Sequence, residues 1–164
     1  MKTLFLTISL LFLVSCTKEV DLSDLVFNDE DCLMYLKGST TPFTGKVFSR
    51  TTEFGSEWYS EGYWEEGKPS GEQRFYRNGN LSSTRNWKDG VYHGEVIWFE
   101  RYGWDGSLVK KGISKEEDFE IRSFWIKGNV VGDLELRYPD GTMEMKKPEE
   151  VTNFPVNLKF QSEC

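Results

Sequence analysis

Trp64-Glu65-Glu66-Gly67-Lys68-Pro69-Ser70-Gly71, Trp87-Lys88-Asp89-Gly90-Val91-Tyr92-His93-Gly94 and Trp125-Ile126-Lys127-Gly128-Asn129-Val130-Val131-Gly132 share one spacing: a tryptophan, then glycines three and seven positions later. A unit that recurs in this way marks a repeat architecture in which each copy packs on its neighbours. Gly67, Gly71, Gly90, Gly94, Gly128 and Gly132 are expected where the backbone turns tightly. The tryptophans are expected at one equivalent strand position per unit, stacked on their copies.

Hairpin signals lie between these motifs. Asn78-Gly79, Asp105-Gly106 and Asp140-Gly141 are each flanked by strand-like runs, so Gly79, Gly106 and Gly141 are turn residues. Gly71 to Tyr76 reads as a strand and Leu81 to Trp87 as its return. Unit starts at Gly45, Gly71, Gly94 and Gly132 are 26, 23 and 38 residues apart, so the third unit carries an insertion. Its expected position is Ser114 to Asp118, with Arg101 to Trp104 lengthening the loop. Aromatics are abundant and alanine is absent, a profile that suits strands better than helices. The expectation is an all-β antiparallel meander of at least eight strands.

Alternation assigns the faces. Val47/Ser49, Gln73/Phe75, Val96/Trp98 and Leu134/Leu136 form the more apolar set and should point inward. Trp64, Trp87, Trp125, Phe75 and Trp98 are therefore the expected repeat core. On the return strands the tryptophans share a face with Gly62, Arg85 and Ser123, two positions back. Tyr59, Tyr63, Tyr76, Tyr92, Phe99 and Trp104 are expected near the surface.

The first residues speak about location. Lys2 precedes an apolar run from Leu4 to Val14, too short to span a bilayer comfortably. Leu13-Val14-Ser15-Cys16 resembles the bacterial lipobox. That resemblance implies cleavage before Cys16 and three acyl chains on it, a firm anchor where one chain would be marginal. Thr17 follows the cysteine, which in Gram-negative lipoproteins implies passage to the outer membrane. Residues 1–15 then form the signal peptide and 16–31 an acidic tether, read as a short helix or an extended arm. Residues 32–146 form the hairpin sheet and 147–164 a tail. Without residues 1–15 the chain keeps 19 basic and 27 acidic residues, a net charge of −8. An acidic surface argues against nucleic acid and against lying flat on anionic lipid. Cys32 and Cys164 either pair, as the extracytoplasmic setting permits, or stay as separate thiols. The tail could span the distance, since 18 extended residues cover roughly 60 Å.

Phe43-Thr44-Gly45-Lys46-Val47-Phe48, Gly67-Lys68-Pro69-Ser70-Gly71, Phe75-Tyr76-Arg77-Asn78-Gly79 and Lys88-Asp89-Gly90-Val91-Tyr92-His93-Gly94 resemble the bacterial variant of the MORN repeat. Chains of that type carry the label YwqK-family antitoxin. The resemblance spans Tyr35 to Met145. It implies an elongated, twisted antiparallel sheet of hairpins and no single activity.

Catalytic signatures are absent from the sequence. His93, the only histidine, reads as a filler of the Gly90–Gly94 turn, because a general base or metal ligand needs partners. Glu65-Glu66, Glu116-Glu117-Asp118 and Asp29-Glu30-Asp31 read as solvated loops. No calcium-loop pattern, P-loop or nucleophile elbow appears. No cofactor or metal is called for. The expected function is a membrane-anchored lipoprotein, not an enzyme, whose repeat sheet serves an unidentified protein partner as an interaction or scaffold module. The alternatives are a toxin-neutralising protein and a glycan-binding module. Changing Cys16 to Ser should abolish metabolic labelling with palmitate; labelling that survives would remove the lipid anchor from this reading.

Overall fold

Each Trp-x-x-Gly ends in a two-residue turn with both residues in the left-handed region. The φ angles are 48° and 81° at Glu66-Gly67, 54° and 79° at Asp89-Gly90, and 51° and 79° at Lys127-Gly128. Asn78-Gly79 has the same form, at 49° and 77°. These are the primed turns whose twist matches that of the strands they join. At Gly141, φ is 82°, and Asp140 Oδ1 accepts hydrogen bonds from the Thr142 amide at 2.8 Å and hydroxyl at 2.6 Å.

The structure, a computed structural model, describes residues 18–53, 55–100 and 119–151. The Asp105-Gly106 turn, Trp104, the third-unit insertion, Cys16, Cys164 and the signal peptide all lie outside these residues. The strands are β1 (Glu19–Asp21), β2 (Leu25–Asn28), β3 (Leu33–Leu36), β4 (Gly45–Glu53), β5 (Ser56–Glu65) and β6 (Lys68–Arg77). They continue with β7 (Asn80–Lys88), β8 (Val91–Glu100), β9 (Phe119–Ile126), β10 (Asn129–Arg137) and β11 (Met143–Lys146). Two short 3-10 turns, Leu22–Asp24 and Pro148–Glu150, complete the described chain. The fold is all-β.

Nine strands form one sheet in the order β1-β4-β5-β6-β7-β8-β9-β10-β11. From β4 to β11 it is an antiparallel meander; β1 adds parallel to β4. The stretch read as a tether therefore takes part in the fold from Glu19. Tyr35 and Leu36, at the start of the stretch that resembles the repeats, instead belong to a separate hairpin of β2 and β3.

The second glycine of each motif does not open a strand; it bulges one. Between Glu61 and Tyr63, β5 advances two residues while the partners Arg74 and Ser70 on β6 are four apart. The same two-residue excess recurs between Val96 and Tyr92 on β8, facing Arg85 and Trp87. It recurs again between Val131 and Glu135 on β10, facing Phe124 and Arg122. Gly71, Gly94 and Gly132 carry the bulges at φ of 71°, 95° and 77°. An insertion of two preserves the alternation of side chains, so the apolar face stays on one side.

That inner face holds two cores. The first comprises Leu25, Met34, Phe43, Val47 and Trp64, where the β2–β3 hairpin covers the sheet. Its clip is backbone: Met34 N–H donates to Gly67 O at 3.0 Å and Gly67 N–H to Phe43 O at 2.8 Å. The second gathers Tyr92, Val96, Trp98, Ile121, Trp125, Leu134, Leu136, Tyr138 and Val151, with Trp87 and Val130 packed against it. The inward set read from alternation holds, with Ser49 and Phe75 half-buried.

The tryptophans do not stack directly. Tyr92, expected near the surface, is buried between Trp87 and Trp125, with ring centroids 4.2 Å and 5.1 Å away, both edge-on. Trp125 is fully buried and donates to Ser123 Oγ at 2.7 Å, whereas Trp87 is only partly buried. Trp125→Ala should therefore cost ~3–5 kcal/mol, the range for a core aromatic truncation. Trp87→Ala should cost less; chemical denaturation of the two variants measures the order.

Candidate functional site

Between the two cores the inner face is left uncovered enough to form a cleft of about 500 Å³. Its ends are the core tryptophans Trp64 and Trp87. Its walls are Trp58 and Phe75, and Ser49, Ser60 and Thr51 contribute hydroxyls. Cross-strand register builds it: Thr51 pairs with Trp58 and Trp58 with Arg77; Ser49 pairs with Ser60 and Ser60 with Phe75; Gln73 pairs with Arg85. Gly62 keeps the floor low, since a Cβ there would lie 2.9 Å from Gln73 Cγ.

Two polar side chains define the chemistry. Gln73 is buried, and its Oε1 accepts from Trp87 Nε1 at 2.8 Å, which leaves the amide NH₂ as a donor. Arg85 lies with its guanidinium carbon 3.9 Å from the Phe75 ring centroid. Its Nε is buried and has no hydrogen-bond partner. Burial raises the Tyr92 pKa, and the neighbouring Arg85 charge opposes that rise. Among the described residues no carboxylate forms an ion pair with Arg85. Among the described residues the one carboxylate lining the cleft is Glu53, three cross-strand rows away at its opposite end.

The outer face differs along its length. Near β5 and β6 it is polar-aromatic: Glu61 accepts from the Tyr59 and Tyr76 hydroxyls, each at 3.2 Å, and Arg50 lies 5.3 Å from the Tyr59 ring centroid. Near β9 to β11 it is apolar at its ends. Phe124, Ile126 and Val131 are 52%, 43% and 45% exposed, and Met143 and Met145 on the edge strand are 57% and 56% exposed. Arg122, paired with Glu120 and Glu95, and Arg137, paired with Glu135, run between them.

His93 sits in β8 beside Gly94, not in a turn, because the turn is Asp89-Gly90. Glu65 ends β5 and Glu66 occupies the turn after it; Asp29 to Asp31 fill the β2–β3 connection. Among the described residues no group of three histidine, cysteine or acidic side chains is placed to hold a metal ion. Alternation put Gln73, Phe75 and Arg85 on the inner face, but it could not reveal that a gap remains above them. Trp58 escaped notice because it lies outside the repeated spacing, although it is six residues before Trp64 and therefore on the same face.

No family model matches the chain, and no curated protein or solved structure matches it.

Cys32 adopts a φ of 62° in the β2–β3 connection and is disulfide-bonded, its partner lying outside the described residues. The other two cysteines are Cys16 and Cys164. A thioether sulfur cannot enter a disulfide, so acylation of Cys16 requires Cys164 as the partner. Non-reducing peptide mapping of membrane-extracted protein should yield a Cys32–Cys164 linked peptide. A Cys32–Cys16 peptide would contradict the lipid anchor.

Proposed function

We propose that this protein is a lipid-anchored lipoprotein of the bacterial envelope, with a repeat sheet that serves as a protein-interaction module. Anchorage rests on Leu13-Val14-Ser15-Cys16 and the apolar run before it. The interaction role rests on one observation above others: the exposed apolar side chains of β9 to β11 lie beside a sheet edge. Phe124 and Val131 are cross-strand neighbours, so they form one contiguous contact rather than isolated surface residues. β11 pairs with β10 on one side only among the described residues, and its other edge offers main-chain hydrogen bonds to an added strand. Met143 and Met145 on that strand can adjust to a partner's shape. The paired arginines and glutamates between them form a polar border that selects orientation.

In this reading the repeats act as scaffold. Their buried tryptophans set the sheet, while the unrepeated β11 and the outer residues of β9 and β10 make contact. A photocrosslinking residue placed at Phe124 in cells should trap one discrete partner, and Tyr63, on the outer face near the other end, should not. Phe124→Ser should shift stability by no more than ~0.5 kcal/mol, as for an exposed residue. Absence of any adduct from Phe124 and from Met145, with the protein folded and at the membrane, would contradict the proposal. A toxin as the trapped protein would assign the sheet a neutralising role.

A further inference from the structure

The cleft on the inner face is a second surface, on the opposite side of the sheet from the proposed protein contact and independent of it. We propose that it binds a saccharide bearing a single carboxylate, of the uronic-acid type, with the acid on Arg85. The first observation is the state of Arg85. A half-buried guanidinium normally has a carboxylate partner, because removing a charge from water without compensation is costly. This chain has 27 acidic residues, yet among the described residues none pairs with Arg85. The Phe75 ring holds the guanidinium in place by stacking, and its Nε is left as a buried donor without an acceptor. A fixed, unpaired guanidinium is organised to receive a planar oxyanion.

The second observation is the mixture of surfaces around it. Trp58 and Phe75 present aromatic area, which suits the C–H face of a sugar ring. The Gln73 amide and the hydroxyls of Ser49 and Ser60 lie on the same face and suit ring hydroxyls. An acyl chain or an aliphatic side chain would leave those polar groups without partners, at a cost for each one desolvated. The volume, about 500 Å³, falls within the range of small-ligand sites. The chain's acidity restricts the ligand further: a net charge of −7 repels polyanions, so one carboxylate among neutral hydroxyls fits better than a run of them. Glu53, at the far end, can accept from a sugar hydroxyl but would repel a second acid.

Arg77 supports this geometry without taking part in the anion site. Its guanidinium carbon is 5.2 Å from the Trp58 ring centroid, and it donates to Ser56 Oγ at 3.2 Å, which steadies the indole at the mouth.

A matched pair of probes tests the proposal. Methyl β-glucuronide and methyl β-glucoside differ only in the carboxylate; benzoate supplies a carboxylate on a flat ring without hydroxyls. Titrations of the purified full chain, followed by tryptophan fluorescence and calorimetry, should show saturable glucuronide binding. The glucoside and benzoate should each bind at least tenfold more weakly, and added salt should weaken glucuronide binding. Arg85→Gln should reduce glucuronide affinity at least tenfold and leave glucoside binding unchanged. Trp58→Ala, at a partly exposed ring, should weaken both sugars while the melting temperature is held, which separates lost contact from lost fold. Equal binding of the two glycosides, benzoate binding tighter than glucuronide, no glucuronide binding, or undiminished binding by a folded Arg85→Gln variant would each overturn it.

Discussion

The sheet depends on a pairing between a tryptophan on one strand and a glycine directly opposite on the strand before it. Trp64 faces Gly45, Trp87 faces Gly71 and Trp125 faces Gly94. The glycine requirement has different origins at these places. At Gly71 a Cβ would meet nothing, so the constraint is its left-handed backbone in the bulge. At Gly45 a Cβ would lie 2.4 Å from Lys18 O, so the constraint is the close approach of β1. Trp87 and Trp125 thus each face the glycine of a bulge, Trp64 faces the glycine that admits the segment leading into β1, and each is followed three residues later by the glycine of the next turn. One short motif sets the turn, the register and the anchor of the apolar face.

This device explains why the inner face stays apolar despite three two-residue interruptions of the ladder; a fourth, where Phe75 and Tyr76 face Ser83 and Leu81, is a single-residue bulge of β7 next to its turn. A one-residue slip would turn the following side chains outward, whereas a two-residue bulge leaves them where they were. Val96, Leu134 and Leu136 come after bulges and are still fully buried. The β2–β3 hairpin covers one part of that face and the second core consolidates another. Their separation leaves the aromatic cleft, whose end walls are the core tryptophans themselves. Packing and ligand chemistry therefore share Trp64 and Trp87.

The sequence was legible wherever local rules decided the outcome. Asn78-Gly79 announced its turn by composition, and alternation found Val47, Val96, Leu134 and Leu136 on the buried side. The turns at Glu66-Gly67 and Lys127-Gly128 were less plain, because glutamate and lysine are not turn formers and take positive φ only under the demand of the strands on either side. The bulges were invisible: a glycine seven after a tryptophan looks like a strand start until the opposite strand is known. Tyr92 was misplaced for the same reason, since its burial depends on Trp87 and Trp125 arriving from two neighbouring strands. The cleft was readable only as a set of inward residues, because a gap belongs to the space between elements.

The central claim is the two-residue bulge at each second glycine, and cross-strand nuclear Overhauser contacts in the purified protein measure it directly. The account predicts contacts between Val131 and Phe124 and between Glu135 and Arg122, with the matching shift between Arg85/Val96 and Trp87/Tyr92. Contacts in unbroken register, with Asp133 opposite Arg122 and Gly94 opposite Trp87, would contradict it.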